Sequence, residues 1–413
     1  MTTSTEAVIA EHLHSRAEEM HAFARELIAT PSPNPPGDER AVAARVDAQL
    51  RALGVTEVEE LAGRPDRPNV VARVPGRGGG RTLILSGHLD TKPAGDMTAW
   101  ETDPWDPVER DGQLYGLGSG DMKVAVAAMI YAAAAVKAAG PAAGDLVLVF
   151  TADEEAGSIH GSKWLAESGL LHADAAVIGE PSGITREWEA IHLISRGAAL
   201  FKVRVRGTQM HSSVSDRLPA VNATVMMARL VDRMHRELKG ALTYAPHPLG
   251  GLGPTVNVGV MASAGVYYGV YPGTAEFACD IRTLPGMGRE QLVADLETFL
   301  AQAMRDDPDL DAELDFEIFV PATEIDPAEP VVRALQEAAA EVLPEPPRLD
   351  AFPGATDAPY FQLTAGIPTV AAFGPGLLPL AHSPNEHLAV TGGLLAARIY
   401  ALAAWRYLNP EGE

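Results

Sequence analysis

Cysteine is all but missing from this chain. Cys279 is the only one, which excludes an intramolecular disulfide and any zinc site built on thiolates; a buried, inert thiol is the expectation for it. Basic residues are scarce too, with 32 Lys and Arg against 55 Asp and Glu and a formal charge of -23. Nucleic acid requires a basic footprint for its phosphates, so this composition makes it a poor partner. The acids are spread along the chain, which favours solubility and leaves some carboxylates free to be neutralised by cations. Long apolar runs are also lacking. The longest, Val124 to Val136, lies between Lys123 and Lys137 and falls short of the ~18 to 20 residues that cross a bilayer. The opening residues, MTTSTEAVIAEHLH, carry neither the basic start nor the apolar stretch of a secretory signal. A cytoplasmic protein with no membrane partner is expected.

What is present suits ordinary globular folding. The apolar fraction is 46% and the charged fraction 21%, near the averages for soluble domains, and 413 residues exceed what one core usually holds. A helical pattern from Glu6 to Ile28 stops at TPSPNPPG. Short β-branched runs then alternate with helical stretches: NVVARV, TLILSGHL, the Ala-rich segment from Met122 to Ala139, DLVLVF, Ser162 to Glu167, and AAVIGE. Such alternation predicts an α/β domain with a mostly parallel sheet. Near Glu187 the pattern changes to LFKVRVRG with period two, a helix from Pro219 to Leu238, strands at PTVNVGV and TAEFACDIRTL, and a helix from Gln291 to Met304. These read as an inserted α+β unit. Helix returns at Val331 to Val342 and from Gly393 to Tyr407, around a strand at PTVAAFG. The expected division is a discontinuous catalytic domain over 1–190 and 318–413 and a lid over 191–317.

The chemistry gathers at strand ends. His88 closes an apolar strand in SGHLDTKP, with Asp90 two residues on, where it can orient the histidine's second ring nitrogen. Asp121 lies in GLGSGDMK at the entrance of a helix. A helix cap is its plain structural alternative, a carboxylate bridging two cations its functional one. The glycines at 116, 118 and 120 do not have the G-x-G-x-x-G spacing of a dinucleotide loop. Glu154 and Glu155 follow DLVLVF, and Glu180 follows AAVIG. Adjacent side chains at a strand end point apart, so one acid can bind metal while the other faces water. Each acid taken singly suits a solvated turn. Together they cluster where α/β sheets bind ligands, at the carboxyl ends of the strands, and AHSPNEHL adds His382 and His387 from the C-terminal part.

At this point the chain resembles the metallopeptidase and deacylase family that includes acetylornithine deacetylase, succinyl-diaminopimelate desuccinylase, glutamate carboxypeptidase and aminoacylase. The resemblance runs in order through SGHLDTKP, GLGSGDMK, TADEE, IGEPS, GTQMHSS, DIRTLPG, GATDAPYF and AHSPNEH. It implies a zinc-exopeptidase-like fold in which His88 and Glu180 hold one cation, Glu155 and His382 hold the other, and Asp121 joins them. It further implies Glu154 as general base, Asp90 as the partner of His88, and a cis peptide after Asp121. The inserted unit resembles a lid that commonly dimerises, so a homodimer is expected. From that lid His211 would stabilise an oxyanion in the partner's site, and Arg282 would hold a substrate carboxylate with its bidentate fork. Asn257, Tyr268 and Asp357 complete the substrate-side candidates. His387 reads as a structural neighbour rather than a ligand.

Nitrogen and oxygen donors without thiolate suit two zinc ions per subunit, with cobalt or manganese as alternatives. The chain departs from the family at Gly269, Val270, Tyr271 and Pro272, where the family usually reads Asn-Val-Val-Pro. Tyr267, Tyr268, Tyr271 and Trp188 are expected near the substrate, which points toward an aromatic or flat molecule. The first expectation is therefore an amidohydrolase for an N-acyl amino acid or small peptide, acting through water activated at the metals with Glu154 as base. The alternatives are a hydrolytic deaminase of an aromatic amine using the same site, and a non-catalytic binding protein. Glu154 beside Glu155 speaks against the last, since a pure binder has no use for a base.

Overall fold

The computed structural model describes residues 5–249 and 251–410. They form two compact units, one comprising the chain up to Ser195, Glu324–Phe352 and the chain from Thr356, the other Arg196–Thr323 with Pro353–Ala355. The first unit is built on a sheet whose strands lie in the order Glu57–Leu61, Asn69–Val74, Leu146–Thr151, Leu83–His88, Ala175–Ile178 and Thr369–Val370. Leu146–Thr151 and Leu83–His88 are almost wholly buried, as expected of strands covered on both faces. From Leu146–Thr151 onward the junctions are parallel. Asn69–Val74 runs antiparallel to both its neighbours, so the sheet is mixed rather than uniformly parallel.

The helix Val124–Ala138 is buried on every side from Val124 to Val136, which is why its sequence shows no polar stripe. Its alanines let the helices Ala17–Ile28 and Gly392–Leu408 pack closely against it. The N-terminal helix expected from Glu6 to Ile28 is two, Thr5–Ser15 and Ala17–Ile28, parted where Arg16 leaves helical geometry at φ -112° and ψ 13°. A further helix, Arg40–Ala52, follows the Pro-rich segment.

In the second unit the strands Thr255–Ala264, Thr274–Thr283, Gly197–Arg206 and Asp311–Val320 form an antiparallel sheet in that order. Phe201, Val203 and Val205 face a core shared with the helices Ala223–Ala241 and Arg289–Asp306. On the opposite face Lys202 pairs with Glu317, and Arg204 with Glu276 and Asp315. The first helix starts at Ala223 rather than Pro219, because Asn222 caps it by accepting the Val225 N–H at 3.2 Å.

Candidate metal centre

Strand register brings the first set of side chains level. His88 pairs with Thr151 and Ser86 with Ile178 across the parallel junctions, so the three strands end within two residues of one another. His88 is the last residue of its strand, and Glu180 lies two residues beyond Ile178. Glu154 and Glu155 do not extend their strand as expected. They open a short 3-10 turn, Glu154–Ala156, after Asp153 has adopted a left-handed φ of 66°. Asp121 enters from the turn Ser119–Lys123, and its bond to Met122 is cis. That turn lies close over Leu83–His88: a Cβ on Gly87 would come within 2.6 Å of Met122 Cε. His382 arrives on a later loop with φ 59°.

These residues make two donor groups sharing one carboxylate, His88–Asp121–Glu180 and Asp121–Glu155–His382. His88 Nε2 is 2.9 Å from Asp121 Oδ1 and 3.6 Å from Glu180 Oε1. His382 Nε2 is 3.1 Å from Asp121 Oδ2 and 3.1 Å from Glu155 Oε2. Asp121 therefore offers one oxygen to each ring. Ligands at ~2.0 to 2.2 Å around a tetrahedral zinc stand roughly 3.4 Å apart, so the donor set fits a cation in each group.

The electrostatics fit as well. Burial acts to lower His382, but hydrogen bonds with Asp121 and Glu155 overcome it and push the ring up to about 10. At His88 burial is overcome in the same way by Asp121 and Glu180, and the ring is raised well above its ordinary value. Burial raises Glu180, and the charge of Asp121 raises it further. Burial likewise raises Glu154, with Asp357 and Glu155 adding to it. Such a concentration of carboxylates is what divalent cations relieve.

Asp90 meets His88 differently from expectation. His88 Nδ1 faces the main-chain oxygen of Asp90 at 3.0 Å, while the Asp90 carboxylate is 3.6 Å away. That carboxylate instead accepts the N–H groups of Glu154 at 3.2 Å and Glu155 at 3.1 Å. Asp357 is buried, accepting from Ser158 Oγ at 2.5 Å and Thr151 Oγ1 at 3.1 Å. His387 packs its ring against Tyr115 at 4.6 Å, tilted by 32°. Trp188, expected beside the substrate, is buried against Phe373 at 5.4 Å. The remaining candidates belong to the second unit. There His211 is exposed and its Nδ1 receives Ser213 Oγ at 2.8 Å. Arg282 pairs with Asp280 at 2.9 Å, Asn257 lies opposite Asp280, and Tyr268 is 92% exposed with the Tyr267 ring edge-on to it.

Two residues beside the donors were not singled out from sequence. Lys92, in SGHLDTKP, reaches Glu155 with its ammonium 3.2 Å from Oε2, and also meets the Glu155 main-chain oxygen. Glu386, in AHSPNEHL, accepts N–H bonds from Gly118, Gly120 and Asp121 at 3.1, 2.8 and 3.0 Å. Both lie inside motifs already read, so proximity in sequence to His88 and His382 was the signal available.

Residues 84–406 match the peptidase family M20/M25/M40. The chain belongs to that family. It is 33% identical to acetylornithine deacetylase of Myxococcus xanthus over 79% of this chain and 80% of the relative. It is 36% identical to succinyl-diaminopimelate desuccinylase of Leptothrix cholodnii over 46% of this chain and 51% of that relative. Among solved structures, the M20 metallo-carboxypeptidase Sso-CP2 of Sulfolobus solfataricus superposes with a TM-score of 0.76 at 20% identity, over 94% of this chain and 99% of that one. Human carnosine dipeptidase 1 superposes with a TM-score of 0.75 at 18% identity, over 98% and 99% of the two chains. The protein is thus an M20-family metallohydrolase acting on C–N bonds, with the family's α/β fold.

Proposed function

We propose that this enzyme hydrolyses the amide bond of an N-acyl amino acid or small peptide, with His88 and Glu180 holding one divalent cation, Glu155 and His382 a second, and Asp121 both. The observation that carries this is Asp121 facing two histidines with separate oxygens, while Glu154, next in the chain to the donor Glu155, belongs to neither donor group. When bound, such cations lower the pKa of water from 15.7 to roughly 7 and polarise a carbonyl. Glu154 takes the proton from the attacking water and passes it to the leaving nitrogen. Asp90 holds the Glu154–Glu155 turn in place through its two N–H acceptances. The second unit is read as the lid, from which His211 would donate to the developing oxyanion in the partner subunit's site, with Arg282 as the residue for a substrate carboxylate and Asn257 and Tyr268 as further substrate-side residues. The deacylase names of the relatives at 33% and 36% identity favour an N-acyl substrate. A homodimer through the lid completes the reading, supported by the exposed Val260 and Met261 on the sheet's outer strand Thr255–Ala264.

The test is Glu154→Gln, assayed on a panel of N-acyl amino acids, dipeptides and aromatic amines. It is expected to keep two equivalents of zinc or cobalt and lose at least ~100-fold in kcat. Near-normal turnover, or release of ammonia in place of a carboxylic acid by the parent enzyme, rejects the reading.

A further inference from the structure

The turn that carries Glu154 and Glu155 is held from behind by a buried ionic network. Arg67, Glu39, Asp153 and Asn34 are each at most 4% exposed. Arg67 Nη1 reaches Glu39 Oε1 at 2.6 Å, and Nη2 reaches Asp153 Oδ1 at 2.5 Å and Asn34 Oδ1 at 3.1 Å. Asn34 then donates from Nδ2 to Asp153 Oδ1 at 3.0 Å and to Asp90 Oδ2 at 2.9 Å. Asp153 Oδ2 accepts the His160 N–H at 3.1 Å. Apart from the Glu39 ion pair, the side-chain branches from Arg67 lead to Asp90 or to Asp153, the residue preceding Glu154.

Fold stability gives little reason for such a network. Burying a guanidinium with two carboxylates is costly, and apolar residues of similar volume often hold a fold as well or better. Two further features show what it does instead. Asp153 has a side chain and yet sits at φ 66°, a conformation that persists only where the surroundings over-determine it, and which concentrates at functional sites. Gly37, at φ 78°, lies so close that a Cβ there would fall 1.5 Å from Arg67 Nη1, so the Pro-rich loop bearing Asn34 is wrapped directly on the guanidinium.

We propose that Arg67 is a positioning residue: its fork, acting through Asp153 and Asn34, sets the Asp153–Glu155 turn so that Glu154 is aimed at water and Glu155 at its cation. This rests on the roles assigned above to Glu154 and Glu155. His88 meets the clamp only through the main-chain oxygen of Asp90, whereas the Asp153–Glu155 turn is held by it directly, so the His88–Asp121–Glu180 group depends on it less. Loss of the fork therefore bears mainly on the group that contains Glu155.

Arg67→Lys keeps the charge but not the fork. Metal-free full-length Arg67→Lys and parent protein are titrated with cobalt(II), followed by visible absorption, alongside thermal melting and steady-state kinetics. One of the two cobalt-binding steps is expected to weaken about 10- to 100-fold with the other nearly unchanged. The value of kcat should fall roughly 100-fold with little change in KM. If Arg67→Lys does not fold, Asp153→Asn, which keeps side-chain shape, is measured in the same way and must show the same selectivity. Equal weakening of both steps, or no change in either, overturns the proposal. Glu154→Gln separates the two ideas. Turnover lost there but intact in Arg67→Lys sinks the clamp alone, whereas turnover kept in Glu154→Gln sinks the base assignment and leaves the cobalt steps to judge the clamp.

Discussion

Replacing Glu386 tests whether the donor groups depend on a single hidden carboxylate. Its Oε1 accepts from Gly120 and Asp121, and its Oε2 from Gly118. It thereby ties the loop bearing His382 to the turn bearing Asp121. Glu386→Gln can keep the two bonds at Oε1 through its amide oxygen, but its NH2 group must then face the Gly118 N–H, donor against donor. The buried Gly118 N–H is left without its acceptor, at about 1 to 3 kcal/mol. Glu386→Ala orphans all three N–H groups at about 1 to 3 kcal/mol each, less whatever an entering water recovers. A variant whose turn relaxes without metal must recover it on binding, so the cost is read as lost metal affinity. At 1.4 kcal/mol per factor of ten, Glu386→Gln should weaken zinc binding roughly 10- to 100-fold, and Glu386→Ala should weaken it further. Competition against a chelator of known affinity measures both. An alanine variant no weaker than the glutamine variant, or a glutamine variant matching the parent, would refute the reasoning.

Other outcomes follow from the same structure. Arg282→Ala should raise KM for carboxylate-bearing substrates roughly 10- to 100-fold, the value of a charge-assisted bond, with kcat less affected; an unchanged KM places substrate recognition elsewhere. Glu189 accepts from Thr185 N at 2.8 Å and Arg348 Nη1 at 2.7 Å, and these partners hold its carboxyl down to about 2 from an ordinary 4.5. A depressed carboxyl stabilises above its unfolded value and loses that contribution as pH falls. Glu189→Gln should therefore melt lower than the parent at pH 7, with the gap closing between pH 4.5 and 2; a constant gap contradicts this. Phe361 is fully buried with Leu165, Ile178 and Ile367, so Phe361→Ala should cost about 3 to 5 kcal/mol in denaturant unfolding of the first unit. Met261→Lys on the exposed outer strand of the second unit should halve the mass seen by light scattering if the lid forms the dimer, and an unchanged dimeric mass moves the interface elsewhere.

His88 and Glu180 were legible as candidates because of how strands announce themselves, while the grouping of all five donors came from the family resemblance. A strand buried on both faces reads as an apolar run, so a histidine or glutamate ending one stands out, and parallel strands in register place such ends together. Nothing comparable marks pairing direction, which is why the antiparallel setting of Asn69–Val74 was not anticipated. A turn is set by local dihedrals, so the alternation argument for Glu154 and Glu155 failed once Asp153 turned left-handed. The residues that hold the donors were the least legible. Arg67, Glu39 and Glu386 are charged types that usually belong to the surface. Glu386 meets Asp121 across 265 positions, and Arg67 meets Asp153 across 86. A buried charge is distinguished from a solvated one only by its partner, and a partner so distant exists only once the chain has folded. The donor types can thus be named from one sequence, while their aim depends on charges that look like surface until the fold encloses them.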